Sequence, residues 1–274
     1  SMNIQKIITN DKLCRTLTGL TSKKFQELTQ HVRPLWNKVA YARTPKHKRK
    51  HAIGAGRRYE LSLEEAILLT LTHFRTYETL AFLGFLFNKD LSTAYRYIQR
   101  FEPLINSVMD IPKDKGALSK EDILLIVDAT EQETEKREGT GYSGKKRKQT
   151  IKTQVIAGQD GKIRYVSPSV SGNIHDKKLF DMTSLPKRIQ QRMLADLGYV
   201  GTDCIIPEKS SKLHILTAQQ KKDNKKHSIL RIPIEHLFAH LKQWKILASR
   251  FRSSLKNYNI IFRIVCGLRN MMIA

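Results

Sequence analysis

Long apolar runs are missing from this chain. The longest, LAFLGFLF at residues 80–87, falls well short of the ~20 apolar residues that cross a bilayer. The N-terminal residues lack the hydrophobic region of a signal peptide. Neither membrane insertion nor secretion is therefore expected. Cysteine is scarce too: Cys14, Cys204 and Cys266 stand far apart, with neither the spacing of a zinc site nor the density of a disulfide framework. They read as packing residues in a reducing, cytoplasmic setting. Acids are in short supply, 25 against 49 Lys and Arg, which leaves a net charge of +24 over 274 residues. A surplus of that size is commonly matched by a polyanion such as nucleic acid, whose phosphates release counterions on binding. A structural RNA-binding protein or a generally basic soluble protein would share it, so composition names a class of partner and leaves the activity open.

What is present is enough for folded structure: 40% of the residues are hydrophobic, sufficient for one large core and a smaller accessory domain. LTGLTSKKFQELTQHVRPLW (17–36) predicts a helix opened by Thr21 or Ser22, with Phe25, Leu28, Val32 and Leu35 on one face. The stretch from 42 to 58 carries seven Lys/Arg, two Gly, one Pro and no acid. That composition suits a linker or arm, either solvated or gripping DNA phosphates through Lys48, Arg49 and Lys50. Then Ser62 with Glu65 three residues on forms a capping-box signature. Three short apolar-faced helices with a tight NKD turn before the last predict a helix-turn-helix, an all-α module whose final helix can enter a major groove. On that helix Thr93, Arg96 and Gln99 are candidates to face outward, and Tyr95 and Ile98 to join the core.

The pattern changes after residue 115. ILLIVDAT (123–130) is a continuous aliphatic run of the kind a central strand covered on both faces requires. QTIKTQVIAGQDGKIRYVSPSV predicts two strands joined by a QDGK turn. SGNIHDKKLF reads as a loop entering a helix, RMLADLGYVG as a short strand and turn, and LHILTAQ as another strand. Helices from about 229 to 247 and 256 to 271 close an α/β domain.

Within that basic domain, Asp128 is expected at the end of the central strand, Asp196 after the short apolar segment RML, and Glu235 near the start of a late helix. Three carboxylates meeting at one sheet edge could bind two divalent ions, because Mg²⁺ (or Mn²⁺) prefers carboxylate oxygens, waters and substrate phosphates. Each acid also has a structural reading, as a turn residue or as a complement to a helix dipole.

Nearly the full length resembles the bacterial insertion-sequence transposases with an acidic DDE triad, and is similar to the Harbinger-type transposases built on the same scheme. The matching pieces run in family order: LTGLTSKKFQELTQHVRPLW, the trihelical segment through TAYRYIQRF, IVDAT, SGNIHDKKLF, ADLGYVG and RIPIEHLFAHLKQWKILASRFR. The resemblance implies a ribonuclease H-like catalytic domain, placed at 116–274, behind an N-terminal helical segment (1–41), a basic linker (42–60) and a helix-turn-helix region (61–115). It implies that Asp128, Asp196 and Glu235 form the catalytic triad that holds two Mg²⁺ or Mn²⁺ ions. The partners it implies are double-stranded DNA, as terminal inverted repeats and target, and a homodimer or higher assembly. The setting would be the bacterial cytoplasm, associated with the nucleoid. Many members carry a tyrosine, arginine, glutamate and lysine signature around the last acid. Arg231 and Lys242 match it; the tyrosine position holds Ser228, beside His227.

His175 and Asp176 belong to the SGNIHD motif, where Asp176 could cap the following helix or serve behind the metal ligands. Lys145, Lys146, Arg147 and Lys148 are candidates to touch DNA, or to form a solvated hairpin tip. Lys245, Arg250 and Arg252 can grip phosphates, whereas Trp244 and Phe251 suit a core as well as a base-stacking surface. His236 and His240 lack the intervening glutamate of a zinc-protease helix. The glycines of EGTGYSGKK lack the strand and helix of an ATP-binding loop. A transposase-derived regulator without nuclease activity remains the alternative to an active enzyme.

Overall fold

Helix starts are set by short polar side chains that satisfy the first free backbone amides. In the computed structural model, which describes residues 3–41, 59–112, 118, 124–211 and 215–273, Asn3 caps α1 (Ile4–Thr9) and Asn10 caps α2 (Asp11–Thr18). Neither helix is anticipated by the sequence reading. α3 (Ser22–Tyr41) follows, with Phe25, Leu28, Val32 and Trp36 buried. The basic arm with Lys48, Arg49 and Lys50 lies outside the described residues.

Ser62 opens α4 (Leu63–Thr76) through a capping box: its hydroxyl accepts from the Glu65 amide at 3.2 Å, and the Glu65 carboxylate accepts from the Ser62 amide at 2.7 Å. α4 is buried on every side from Ala66 to Phe74, as expected of a helix that forms the middle of a bundle. α5 (Leu80–Leu86) and α6 (Leu91–Ser107) complete the helix-turn-helix. Asp90 caps α6, accepting from the Thr93 amide at 2.8 Å and from its hydroxyl at 2.7 Å. That contact buries Thr93, contrary to the outward position expected for it, and Tyr95 is exposed rather than in the core. The cap sets the rotation of the helix, leaving Leu91, Ser92, Tyr95, Arg96 and Gln99 exposed.

By chain contacts the protein divides into two units, Ser1–Met109 with Trp244–Ile246, and Asp110–Gln243 with Leu247–Ala274. The second is built on a mixed sheet. β1 (Leu125–Glu133) pairs antiparallel along its whole length with β3 (Lys148–Gly158). The other edge of β3 is covered in succession by β2 (Gly141–Ser143), β5 (Val170–Ser171) and β4 (Ile163–Val166). On the far side of β1, β6 (Met193–Leu194) runs parallel, and Ile205 adds a parallel bridge to Leu194.

Because side chains alternate along strands, β1 divides its residues between two layers. Leu125 and Val127 join Ile156, Met193, Ala195, Phe180, Ile189 and Tyr199 in one core. The helices α7 (Asp176–Met182) and α8 (Lys187–Gln190) supply its outer wall. α9 (Ala218–Leu241) packs against β1 and β6, burying Ile234, Leu237 and Leu241. After α10 (Lys245–Ala248), α11 (Tyr258–Ile273) packs on β4 and locks to it through Asn270, which exchanges two 2.9 Å hydrogen bonds with the backbone of Ile163.

Two expectations need correction. α9 starts at Ala218, not near 229, and Pro233 lies in its interior. The reading of LHILTAQ as a strand fails where it can be checked: 215–217 have no regular structure, Thr217 caps α9, and 212–214 lie outside the described residues. Among the described residues no helix is long and apolar enough to cross a membrane.

Candidate active site

β6 stops pairing with β1 after Leu194 opposite Ile126, so β1 runs on with one open edge. Asp128 is the first outward residue past that point. It is the fourth residue of β1, still paired with Val155 on the β3 side; it is not at the strand's end as expected, and it reaches solvent because its neighbour ends. Asp196 follows two residues beyond Leu194, near enough for its charge to act on Asp128. Asp196 opens a 3₁₀ turn (Leu197–Tyr199) by accepting from the Gly198 amide at 2.8 Å.

Burial pushes the Asp128 carboxyl up to about 6, and the negative charges of Asp196 and Asp176 add to that rise. The Ala129 amide, which donates to Asp128 Oδ1 at 2.7 Å, and the Arg231 guanidinium, 3.2 Å from Oδ2, oppose it without cancelling it. Desolvation thus outweighs a direct ion pair here.

A third acid comes round the edge from the other layer. Asp176 is the first residue of α7 and does not cap it; His175 holds the cap position, without a side-chain cap bond. A Cβ placed on Gly198 would stand 2.9 Å from Asp196 Oδ1 and 3.1 Å from Asp176 Oδ2, so the two carboxylates flank Gly198 closely. Beside them Tyr199 is fully buried. Its hydroxyl has no hydrogen-bond partner among the described residues. Burial, with the charges of Asp128, Asp176 and Asp196, holds that phenol well above its ordinary value.

Glu235 lies one helical turn beyond Arg231 on α9, next to the buried Ile234, and is exposed. Arg231 reaches Asp128; no contact joins Glu235 to either aspartate in the described structure. Lys242 is exposed at the C-cap of α9. His227, beside the departed tyrosine position, is buried and bonds the Ile205 carbonyl at 3.0 Å, tying α9 to the bridge next to β6, while Ser228 is exposed.

The donor set at this edge is carboxylate oxygen, the chemistry a hard divalent cation prefers. Asp128, Asp176 and Asp196 repel one another, and an unpartnered phenol hydroxyl adjoins them; a hydrated cation would relieve the first and could bond the second through water. Among the described residues no three His, Cys, Asp or Glu side chains converge closely enough to chelate an ion directly. The residues fit a hydrated divalent ion held partly through its waters.

Comparison with known proteins matches residues 127–270 to the DDE superfamily endonucleases and residues 59–110 to the helix-turn-helix of that superfamily. The chain is a DDE superfamily endonuclease. Along 267 residues, 93% of this chain and 96% of the relative, it is 27% identical to a protein of Microchaete diplosiphon named as a probable transposase for insertion sequence element IS702. Along 198 residues, 72% of this chain and 75% of the relative, it is 30% identical to a protein of Streptomyces albus G named as a putative transposase for insertion sequence element IS112. No solved structure matches the chain. Endonucleases of this superfamily depend on divalent metal.

The other residues singled out in this DDE superfamily endonuclease divide by exposure. Lys145, Lys146 and Arg147 form the exposed tip between β2 and β3; Lys148 is exposed but paired with Glu133. Arg250 stands 3.6 Å from Glu135, and Arg252 and Lys245 are exposed. Trp244 and Phe251 are buried, Phe251 edge-on to Tyr258 at 4.9 Å, so neither ring is open to a base. On α6, Arg96 donates to Thr93 Oγ1 at 2.8 Å, and Gln99 bonds the Tyr95 hydroxyl. Sequence reasoning passed over Lys152 and Tyr199. The signal for Lys152 was a lone charge inside the otherwise neutral strand TIKTQVIAG.

Proposed function

We propose that this endonuclease is an insertion-sequence transposase, which binds the ends of its element through α4 to α6 and cuts and joins DNA at the Asp128 edge. The observation that carries the reading is that the charge of Asp196 acts on the buried Asp128 carboxyl just past the point where β6 stops pairing with β1, which supports a shared site there. Names given to the relatives agree with it. The strand order β4, β3, β1, β6 and the Ile205 bridge, antiparallel and then parallel, supports a ribonuclease H-like domain.

In this reading Asp128, Asp196 and Glu235 would hold two Mg²⁺ or Mn²⁺ ions. Bound there, such ions would stabilise charge on a phosphodiester and supply a nucleophile at neutral pH. The protein's own groups do the rest. Asp128 would exchange its bond to Arg231 for an ion. Arg231, freed, and Lys242 at the end of the same helix are placed to meet phosphate oxygens. Glu235 is exposed on the same helix, one turn beyond Arg231. Terminal inverted repeats are the DNA bound. Two ends have to meet, so a homodimer or higher assembly on DNA completes the reaction.

The test is nicking of supercoiled plasmid in Mn²⁺ or Mg²⁺ by wild type, Asp128→Asn and Glu235→Gln, with folding and DNA binding followed in parallel. Metal-dependent nicking lost in both variants while binding persists is the expected result. Equal nicking by all three would remove these acids from the chemistry. DNA binding without nicking by any of them, on authentic element ends, would favour a regulator derived from a transposase.

A further inference from the structure

Lys152 sits in the middle of β3, opposite Glu131 of β1 on one side and Val170 of β5 on the other. Its side chain is 8% exposed. Burying an ammonium there is costly unless each of its three protons finds an acceptor. It donates hydrogen bonds to the Ile174 carbonyl at 2.7 Å and Asp176 Oδ1 at 2.9 Å, and it pairs with Glu131 Oε1 at 3.3 Å. Glu131 is itself fixed, its Oε2 accepting from the Thr150 hydroxyl at 3.0 Å.

The loop that delivers Asp176 is pressed onto the same strand. Gly172 donates its amide to the Thr150 carbonyl at 3.0 Å, and a Cβ on Gly172 would collide with the Thr150 hydroxyl. Loop and lysine together leave the Asp176 carboxylate one orientation: Oδ1 anchored on Lys152, Oδ2 turned to the Gly198 turn that carries Asp196. The buried Tyr199 hydroxyl, which feels the charges of Asp128, Asp176 and Asp196, is a polar group that none of the described residues satisfies.

We infer that Asp176 is a fourth carboxylate of the metal-binding edge and that Lys152 is the residue that positions it, through the Lys152–Glu131–Asp176 ion triad. This rests on the proposed metal-dependent site. Asp176 would present Oδ2 to the water shell of a cation held by Asp128 and Asp196, and Lys152 keeps that carboxylate aimed. Outer partners of this kind commonly change metal affinity by roughly 10- to 100-fold.

The experiment is Mn²⁺ binding to the DNA-free protein, read by the loss of the free-ion electron paramagnetic resonance signal, with folding checked by circular dichroism. The variants are Lys152→Met, Lys152→Arg, Asp176→Asn and the Lys152→Met/Asp176→Asn double. Weakening of roughly 10-fold or more is expected in Lys152→Met and Asp176→Asn, with the double no weaker than the weaker single and Lys152→Arg close to wild type. Wild-type binding by folded Lys152→Met, or losses that multiply in the double, would overturn the positioning role. If Lys152→Met does not fold, Asp176→Asn decides: weakened binding supports the inference and wild-type binding overturns it. Asp128→Asn separates the two claims. If it abolishes binding while Lys152→Met and Asp176→Asn do not, only the inference fails; if it binds as wild type does, the site itself is misplaced and both fail.

Discussion

Asp128 carries the main electrostatic tension of the fold. Its folded carboxyl titrates near 6, above the ordinary carboxylate value, because burial wins over the Ala129 amide and Arg231. Between those two pH values the folded state binds a proton that the unfolded chain has released, so stability should fall as pH rises through that window. Thermal unfolding in chelator from pH 4 to 7 should show that fall, and Asp128→Asn should flatten it; parallel curves for the two proteins would place the tension elsewhere. At this scale the acids themselves were legible, since Asp128 and Asp196 end apolar runs in a chain poor in acids. Lys152 and Tyr199 were not, because their roles arise from partners brought alongside by strand register and by the Gly198 turn. The SGNIHD motif was legible as a loop entering a helix, but the bond of Asp176 to Lys152 depends on where that loop lies on β3.

Elements were readable where a cap and an apolar stripe agree. Ser62 and Glu65 announced α4 because both reciprocal bonds form. Ser62→Ala should cost about 1 kcal/mol, measured as a lower denaturant midpoint for the helical unit with unchanged slope; an unchanged midpoint would mean that tertiary packing alone holds the first turn. The start of α9 went unread although Thr217 and Gln220 form the same kind of box. Residues 218–226 are lysine-rich and largely exposed, so no apolar period marks them as helix, and Pro233 lies in the helix interior. An interior proline removes one hydrogen-bond donor and crowds the preceding turn. The helix continues through it because the buried stripe of Ile234, Leu237 and Leu241 anchors the turns that follow. For α6 the helix was legible and its rotation was not, since the Asp90–Thr93 cap draws Thr93 inward and turns Tyr95 out.

The net charge of the whole chain predicts DNA binding that weakens steeply with salt, and the structure indicates which cations can contribute. Lys148 and Arg250 already face Glu133 and Glu135, so a phosphate would have to displace those acids to gain from them. No acid pairs with Lys145, Lys146 or Arg147 at the hairpin tip among the described residues, and all three are exposed. Changing these three to Gln should reduce the slope of log affinity against log salt by roughly 0.9 for each phosphate they neutralise in the wild type. The reduction should be the same for element-end and unrelated duplexes, because groups that grip phosphates carry no sequence information. Lys148→Gln should change the slope less. Arg96→Ala on α6 should do the reverse, leaving the slope close to that of wild type while narrowing the preference for element ends over unrelated duplex. Binding isotherms across a range of salt concentrations on both duplexes separate these cases. An unchanged slope in the triple variant would return the hairpin tip to solvent and leave the phosphates to the basic arm and α6.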